Sequence, residues 1–250
     1  MALGDSFTEG VGDELPDGRV RGWADLVALG LASAVPGPVG YANLAIRGRL
    51  LHPIATEQVD AAITLRPELV SINGGGNDIL RPRVSISGVA RQLLDAVDRL
   101  TAEGIHVVLA SGANPSRHMP MGGLVQSRGD ALAASIRQHL PRRGVTFVDN
   151  WADQELAGPQ YWSRDRIHLN AAGHARVAKN VLCAVDVPAP EFGIDETPAN
   201  RMRGTEYWRE YVLPWIGRRL TGRSSGDNRA VKSATLQPVN PRPQESSGQE

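Results

Sequence analysis

The chain carries a single cysteine among its 250 residues, so no intrachain disulfide is available. That residue, Cys183, falls in an apolar helical pattern and is expected to be a buried, unreactive thiol. No run of about 18 apolar residues occurs, which excludes a membrane helix of the ordinary kind. Neither sign of charge is in excess: 27 Lys and Arg balance 27 Asp and Glu. The global electrostatic case for a nucleic-acid binder is therefore missing. The start, Met1-Ala2-Leu3, leads directly into a polar motif without a charged and then apolar leader, so a cytoplasmic location is expected. No helical His-x-x-x-His pair and no Cys/His cluster with ligand spacing is present. No metal and no other cofactor is expected.

What is present is an ordinary globular composition, 41% hydrophobic and 22% charged, long enough for one α/β domain with a buried core. Short β-like runs occupy residues 1–3, 39–43, 69–73, 106–110 and 146–148. Between them lie helical patterns at 23–34, 54–65, 89–102, 124–140 and 171–185. In the third of these, Val89, Leu93, Leu94, Val97 and Leu100 fall on one helical face. Such alternation predicts a parallel sheet covered on both sides, with the loops that follow the strands gathered along one edge. This domain is expected over residues 1–187. From 188 to 223 the pattern changes: Pro188, Pro190 and Pro198 interrupt it, and an amphipathic stretch follows at 206–220. That stretch holds Tyr207, Trp208, Tyr211 and Trp215, is broken at Pro214, and is expected to pack on the domain or on an unnamed partner. Residues 224–250 are rich in Ser, Pro and Gln and are expected to be disordered.

Four short motifs sit where strand ends or late loops are predicted. Gly4-Asp5-Ser6 follows the first strand, a position where a serine meets substrate and where the next turn can offer backbone N–H groups. By itself the tripeptide is only a turn signature. Asn43-Leu44-Ala45-Ile46-Arg47-Gly48 follows the second strand, and Asn73-Gly74-Gly75-Gly76-Asn77-Asp78 the third. Glycine N–H groups and an asparagine amide are donors of the kind an oxyanion needs. The triple glycine lacks the rest of a phosphate-cradling fingerprint. Late in the chain comes Asp165-Arg166-Ile167-His168. Serine nucleophiles need a base and an acid that fixes its tautomer, and Asp165 is near enough to reach the His168 ring. None of His52, His106, His118, His139 and His174 has an aspartate three residues ahead, and these five are expected to be loop or core residues.

Together and in this order, the four motifs resemble the signature blocks of the SGNH hydrolases, the GDSL-type lipases and esterases. The resemblance runs from Gly4 to about His168 and the helix after it. It implies a three-layer α/β/α sandwich with a flavodoxin-like parallel sheet. It also implies Ser6 as nucleophile, His168 as general base and Asp165 as its orienting acid. The oxyanion hole would comprise the Ser6 N–H, the Gly48 N–H and the Asn77 side chain, with Asp5 and Asp78 as structural supports. No cofactor is implied.

The function expected is a serine esterase or acylhydrolase that cleaves small acyl esters through an acyl-enzyme, its partner being the small-molecule ester. Two alternatives stay open: an acyltransferase on the same scaffold, and a non-catalytic interaction protein that retains the fold. Selectivity is expected from the loops at 11–21, 114–123 and 153–164. Met119, Pro120 and Met121 suit either an apolar acyl pocket or a mobile loop. Trp162 either walls the site or packs beneath it. A second serine motif, Gly222-Arg223-Ser224-Ser225-Gly226, lacks the buried strand before it and the helix after it that a nucleophile elbow requires.

Overall fold

Strands and helices alternate along the chain so that the motifs at Gly4–Ser6, Asn43–Gly48 and Asn73–Asp78 follow strands of one sheet. The computed structural model describes residues 1–119, 121–194, 209–210, 226 and 229–241. Its strands are β1 (Ala2–Leu3), β2 (Val39–Asn43), β3 (Leu69–Ile72), β4 (His106–Ala110), β5 (Val145–Val148) and β6 (Ser233–Val239). They lie in the order β5-β4-β3-β1-β2-β6. The first five are mutually parallel, and β6 pairs antiparallel with β2. The sheet is thus of the flavodoxin-like, doubly wound type, with an added edge strand. The direction of winding reverses between β1 and β3, and a crevice opens there beyond the carboxyl ends of the strands.

Period-two alternation divides the core. Val107 and Leu109 of β4 face one helical layer, Val108 and Ala110 the other. The first layer holds α3 (Leu51–Pro53), a π-helical segment (Ile54–Gln58), α4 (Val59–Leu65), α6 (Ile86–Ala102) and α7 (Gly122–Arg137). It buries Leu51, Ile54, Val59, Leu93 and Leu100 against the sheet. The second layer holds α2 (Trp23–Ala34) and α8 (Ala171–Ala184), with Trp23, Leu26, Val177, Val181 and Leu182 turned inward. Each such aliphatic side chain stabilises the fold by about 1.5–3 kcal/mol relative to its exposed state. Local signals set the helix starts. Ser85 accepts a hydrogen bond from Gly88 N–H at 3.2 Å ahead of α6, and Asn170 accepts one from Gly173 N–H at 3.0 Å ahead of α8. Two four-residue helices, α1 (Ser6–Glu9) and α5 (Gly76–Ile79), follow β1 and β3 directly. None of the helices among the described residues is long and apolar enough to cross a membrane.

Two expectations from the sequence differ from the structure. Cys183 is exposed. The buried stripe of α8 runs through Val177, Ala178, Val181 and Leu182, and one further residue rotates about 100° out of it. Within the segment expected to be disordered, residues 233–239 form β6. Composition hides this strand because little of it is buried and its order comes from backbone pairing with β2. Pro238 is tolerated at an edge position of this kind. The aromatic stretch at 206–220, except residues 209–210, and the serine motif at 222–226, except Gly226, lie outside the described residues.

Candidate active site

Ser6 is held by its neighbours on both sides. Asp5 caps α1, its Oδ1 accepting from Phe7 N–H at 3.1 Å. Gly4 has no room for a side chain: an added Cβ would stand 2.5 Å from Thr8 Oγ1. The Gly4 N–H donates to Gln58 Oε1 at 2.7 Å, and Gln58 Nε2 returns a bond to the Gly4 carbonyl at 3.0 Å. The π-helical segment that carries Gln58 is a rare conformation that occurs frequently at functional sites.

The imidazole of His168 reaches Ser6 from the loop before α8. Its Nε2 lies 2.9 Å from Ser6 Oγ and its Nδ1 2.5 Å from Asp165 Oδ2. The other oxygen, Asp165 Oδ1, accepts from Ser163 Oγ at 2.7 Å and from the N–H groups of Ile167 and His168 at 2.9 Å each. Arg166, between them, takes a left-handed φ of 60° that closes the turn. Burial opposes charge on both members of this pair, and their mutual attraction overrides it. The Asp165 carboxyl is held well below the usual carboxylate range by the His168 charge and by hydrogen bonds from His168 and Ile167. Burial likewise works against the His168 imidazolium, yet Asp165, with a smaller contribution from Asp5, raises its pKa. Asp5 itself is pushed up to about 6, chiefly by burial, against the pull of Phe7 N–H and His168.

The expected oxyanion donors gather at the same place. Ser6, Gly48 and Asn77 line one cavity together with Asp165 and His168. Gly48 adopts a left-handed φ of 75°. Asn77 Nδ2 donates to Asp5 Oδ2 and to the Arg49 carbonyl, both at 3.1 Å, tying the α5 turn to the Ser6 turn. Asp78 braces the same region by accepting from Leu51 N–H at 2.9 Å.

Several residues of this site escape a sequence reading. Gln58 is one. Glu9 is another: its Oε2 accepts from Arg47 N–H at 2.6 Å and its Oε1 from Arg47 Nε at 2.9 Å, clasping the loop that carries Gly48 to the helix that carries Ser6. Asn73 spans from β3 to β4 by donating to the Ala110 carbonyl at 2.9 Å. Of the remaining histidines, His174 lies nearest in character, buried with Nδ1 accepting from Trp23 N–H at 3.3 Å and Nε2 facing the Val11 carbonyl at 3.2 Å. Burial lowers its pKa to about 4, so it stays neutral and structural. Trp162 both packs and walls: it is buried, donates to the Leu156 carbonyl at 3.0 Å, and lines the cavity. Met119 lines it as well, whereas Met121 is exposed and Pro120 lies outside the described residues. Among the described residues no three His, Cys, Asp or Glu side chains converge as metal ligands.

The cavity measures about 580 Å³, and its lining combines these polar groups with apolar side chains such as Leu109, Val125 and Leu132. Ester-bond hydrolysis is the activity class of the family whose model this chain matches. The GDSL-like lipase/acylhydrolase family model matches residues 2–176, from β1 into α8, and the chain belongs to that family. Among solved structures, a lipase from a goat rumen metagenome is 19% identical, covering 73% of this chain and 95% of its own, with a TM-score of 0.62. An acetylxylan esterase from Geobacillus stearothermophilus is 18% identical over 80% of this chain and 95% of its own, with a TM-score of 0.54. A G-D-S-L family lipolytic protein from Veillonella parvula is 19% identical over 72% of this chain and 94% of its own, with a TM-score of 0.53. A comparison with curated protein sequences gives no match.

Proposed function

We propose that the protein is a serine esterase in which Ser6 is the nucleophile, His168 the general base and Asp165 the acid that orients it, acting on small acyl esters in the cytoplasm. The observation that carries this reading is the pair of contacts on one ring, 2.9 Å from Nε2 to Ser6 Oγ and 2.5 Å from Nδ1 to Asp165. With its proton on Nδ1, held by Asp165, the neutral ring presents a lone pair to the serine hydroxyl. In the first half-reaction Ser6 Oγ bonds to the acyl carbon while His168 takes the hydroxyl proton. The intermediate then collapses, the bond to the alcohol oxygen breaks, and His168 returns the proton to the departing alcohol. In the second half water repeats the sequence and releases the acid. Charge on the carbonyl oxygen would be met by the N–H groups of Ser6 and Gly48 and by Asn77 Nδ2. Because Asn77 donates to Asp5 and Arg49, the reading requires one of those bonds to be exchanged for the developing oxyanion.

The test is hydrolysis of a chromogenic acetyl ester. Ser6→Ala is expected to leave at most a trace of turnover; activity equal to the parent would overturn the assignment. Asn77→Ala is expected to lower kcat on the order of 10²–10³ with little change in KM, since an oxyanion donor acts in the transition state. Addition of an alcohol acceptor, with product analysis, separates hydrolysis from acyl transfer through the same acyl-enzyme.

A further inference from the structure

Gly48 occupies a turn that has two accessible forms. The Ile46 carbonyl accepts from Arg49 N–H at 3.3 Å, so Arg47 and Gly48 are the two central residues. Gly48 is left-handed, with a φ of 75°, and Arg47 is not, which makes the turn type II. The type I form of such a turn differs by a rotation of the central peptide through roughly half a revolution. Here that peptide carries the Arg47 carbonyl on one edge and the Gly48 N–H on the other. In a trans peptide the two point in opposite directions, so whatever holds the carbonyl also aims the N–H. Glycine takes either sign of φ about equally well, and the turn by itself leaves the choice open.

Contacts on both sides of Arg47 make that choice. Glu9 Oε2 accepts from Arg47 N–H at 2.6 Å and fixes the peptide before it. Against the peptide after it stands Gly226, the last glycine of the serine motif at 222–226. A Cβ added to Gly226 would lie 2.1 Å from the Arg47 carbonyl oxygen and 2.8 Å from Ile46 Cγ2. The α-carbon is therefore seated on that oxygen, an approach that glycine permits. Gly226 is buried, and its surroundings hold it there. Its carbonyl accepts from Arg229 N–H at 3.1 Å, Lys232 Nζ donates to the Glu9 carbonyl at 3.0 Å, and Val231 packs on the core. β6 then pairs Ser233 with Asn43, the last residue of β2 before the same loop. Gly226, Arg229, Val231, Lys232 and β6 all follow residues 2–176, the part that matches the family model.

We propose that Gly226 is a positioning residue for ester hydrolysis: seated on the Arg47 carbonyl, it keeps the Arg47–Gly48 peptide in the form that offers the Gly48 N–H to the oxyanion. The proposal rests on the reading of Ser6 as nucleophile and Gly48 as oxyanion donor. It gives the segment from Gly226 through β6 a part in catalysis. A side chain at 226 must rotate the carbonyl, turning the N–H away, or lift the segment and leave the carbonyl free to rotate. Either change weakens binding of the transition state and leaves Ser6, His168 and Asp165 in place, so the loss falls on kcat.

The experiment is hydrolysis of a chromogenic acetyl ester by the full chain and its variants, with Tm recorded for each. Gly226→Ala is expected to lower kcat about ten- to a hundredfold, approaching the loss of a whole oxyanion donor, with KM within about twofold. The acid limb of its pH–rate profile is expected to stay in place, because the His168–Asp165 pair is untouched. Gly48→Ala puts a side chain on the left-handed position and is expected to disturb the same N–H. Acting through one donor, the two substitutions together are expected to be no more than about twofold slower than the slower one alone. Multiplied losses, or parental kcat in a folded Gly226→Ala, overturn the proposal while leaving the serine esterase standing. If Gly226→Ala does not fold, Lys232→Met decides, since it loosens the segment without crowding the turn. A fall in kcat of about threefold or more at unchanged KM supports the proposal, and parental kcat overturns it. Parental activity in Ser6→Ala overturns the nucleophile and the positioning role with it.

Discussion

Asp165 receives four hydrogen bonds on two oxygens, three on Oδ1 from its own turn and one on Oδ2 from the His168 ring. The carboxylate therefore shapes the loop and fixes the tautomer at once. Legibility follows from that economy: a three-residue spacing on one tight turn is enough to bring acid and base together, so the pair is visible in the sequence. A pH dependence follows too. The base must be neutral to accept the Ser6 proton, so kcat/KM falls as pH drops through the His168 pKa, which lies above the ordinary imidazole value. With Asp165→Asn the raising charge is gone and burial, which lowers the pKa, is left to dominate. The acid limb of the kcat/KM profile is expected to move to lower pH while turnover drops on the order of 10⁴, as when a triad acid becomes an amide. A pH–rate profile of parent and variant checks both; a limb that stays in place would mean that Asp165 does not set the base.

At the scale of elements, strand β4 and helix α6 are plain in the sequence, β4 as a short continuous apolar run and α6 because its apolar side chains repeat at helical spacing. The short helices α1 and α5 are not, since four residues hold no period to read. Their existence depends on what caps and braces them. Gln58 shows why part of a site stays hidden: it contacts Gly4 across 54 positions, and no local pattern announces such a bond. One signal was available. Ile54, Gln58 and Ala62 share the inward face at four-residue spacing, and a polar residue on a buried face needs a partner. Gln58→Met keeps the volume and removes both bonds. The Gly4 carbonyl would retain Ile46 N–H at 3.2 Å, whereas the Gly4 N–H would be left unpaired. A loss of about 1–3 kcal/mol in urea unfolding is expected. Because Gly4 precedes the Ser6 turn, kcat is expected to fall more than KM changes.

For the whole molecule the informative part is the strand that follows the family's matched region. The match ends at residue 176, yet β6 pairs with β2 and extends the sheet. Side chains just before it fasten the strand to the elements beside Ser6. Lys232 Nζ donates to Asp25 Oδ2 at 2.7 Å and to the Glu9 carbonyl at 3.0 Å, while Arg229 Nη1 reaches Glu9 Oε1 at 3.4 Å. These two contacts differ in environment. Lys232 and Asp25 are only 22% and 23% exposed, and burial raises the Asp25 pKa even against the lysine charge. Arg229 is 51% exposed at the longer distance, where water and salt screen it. Removing the lysine leaves a half-buried carboxylate with no compensating positive charge, held only by neutral donors such as Gly22 N–H at 2.9 Å and the Tyr41 hydroxyl, so Lys232→Met is expected to cost about 1–3 kcal/mol. Arg229→Ala is expected to cost less than about 1 kcal/mol. Urea unfolding of both variants at low and high salt measures the difference. If β6 were an incidental edge strand the two substitutions would be equally silent; if it is fastened through α1 and α2, Lys232→Met alone shifts the midpoint, and the shift persists in salt because the pair is shielded from solvent.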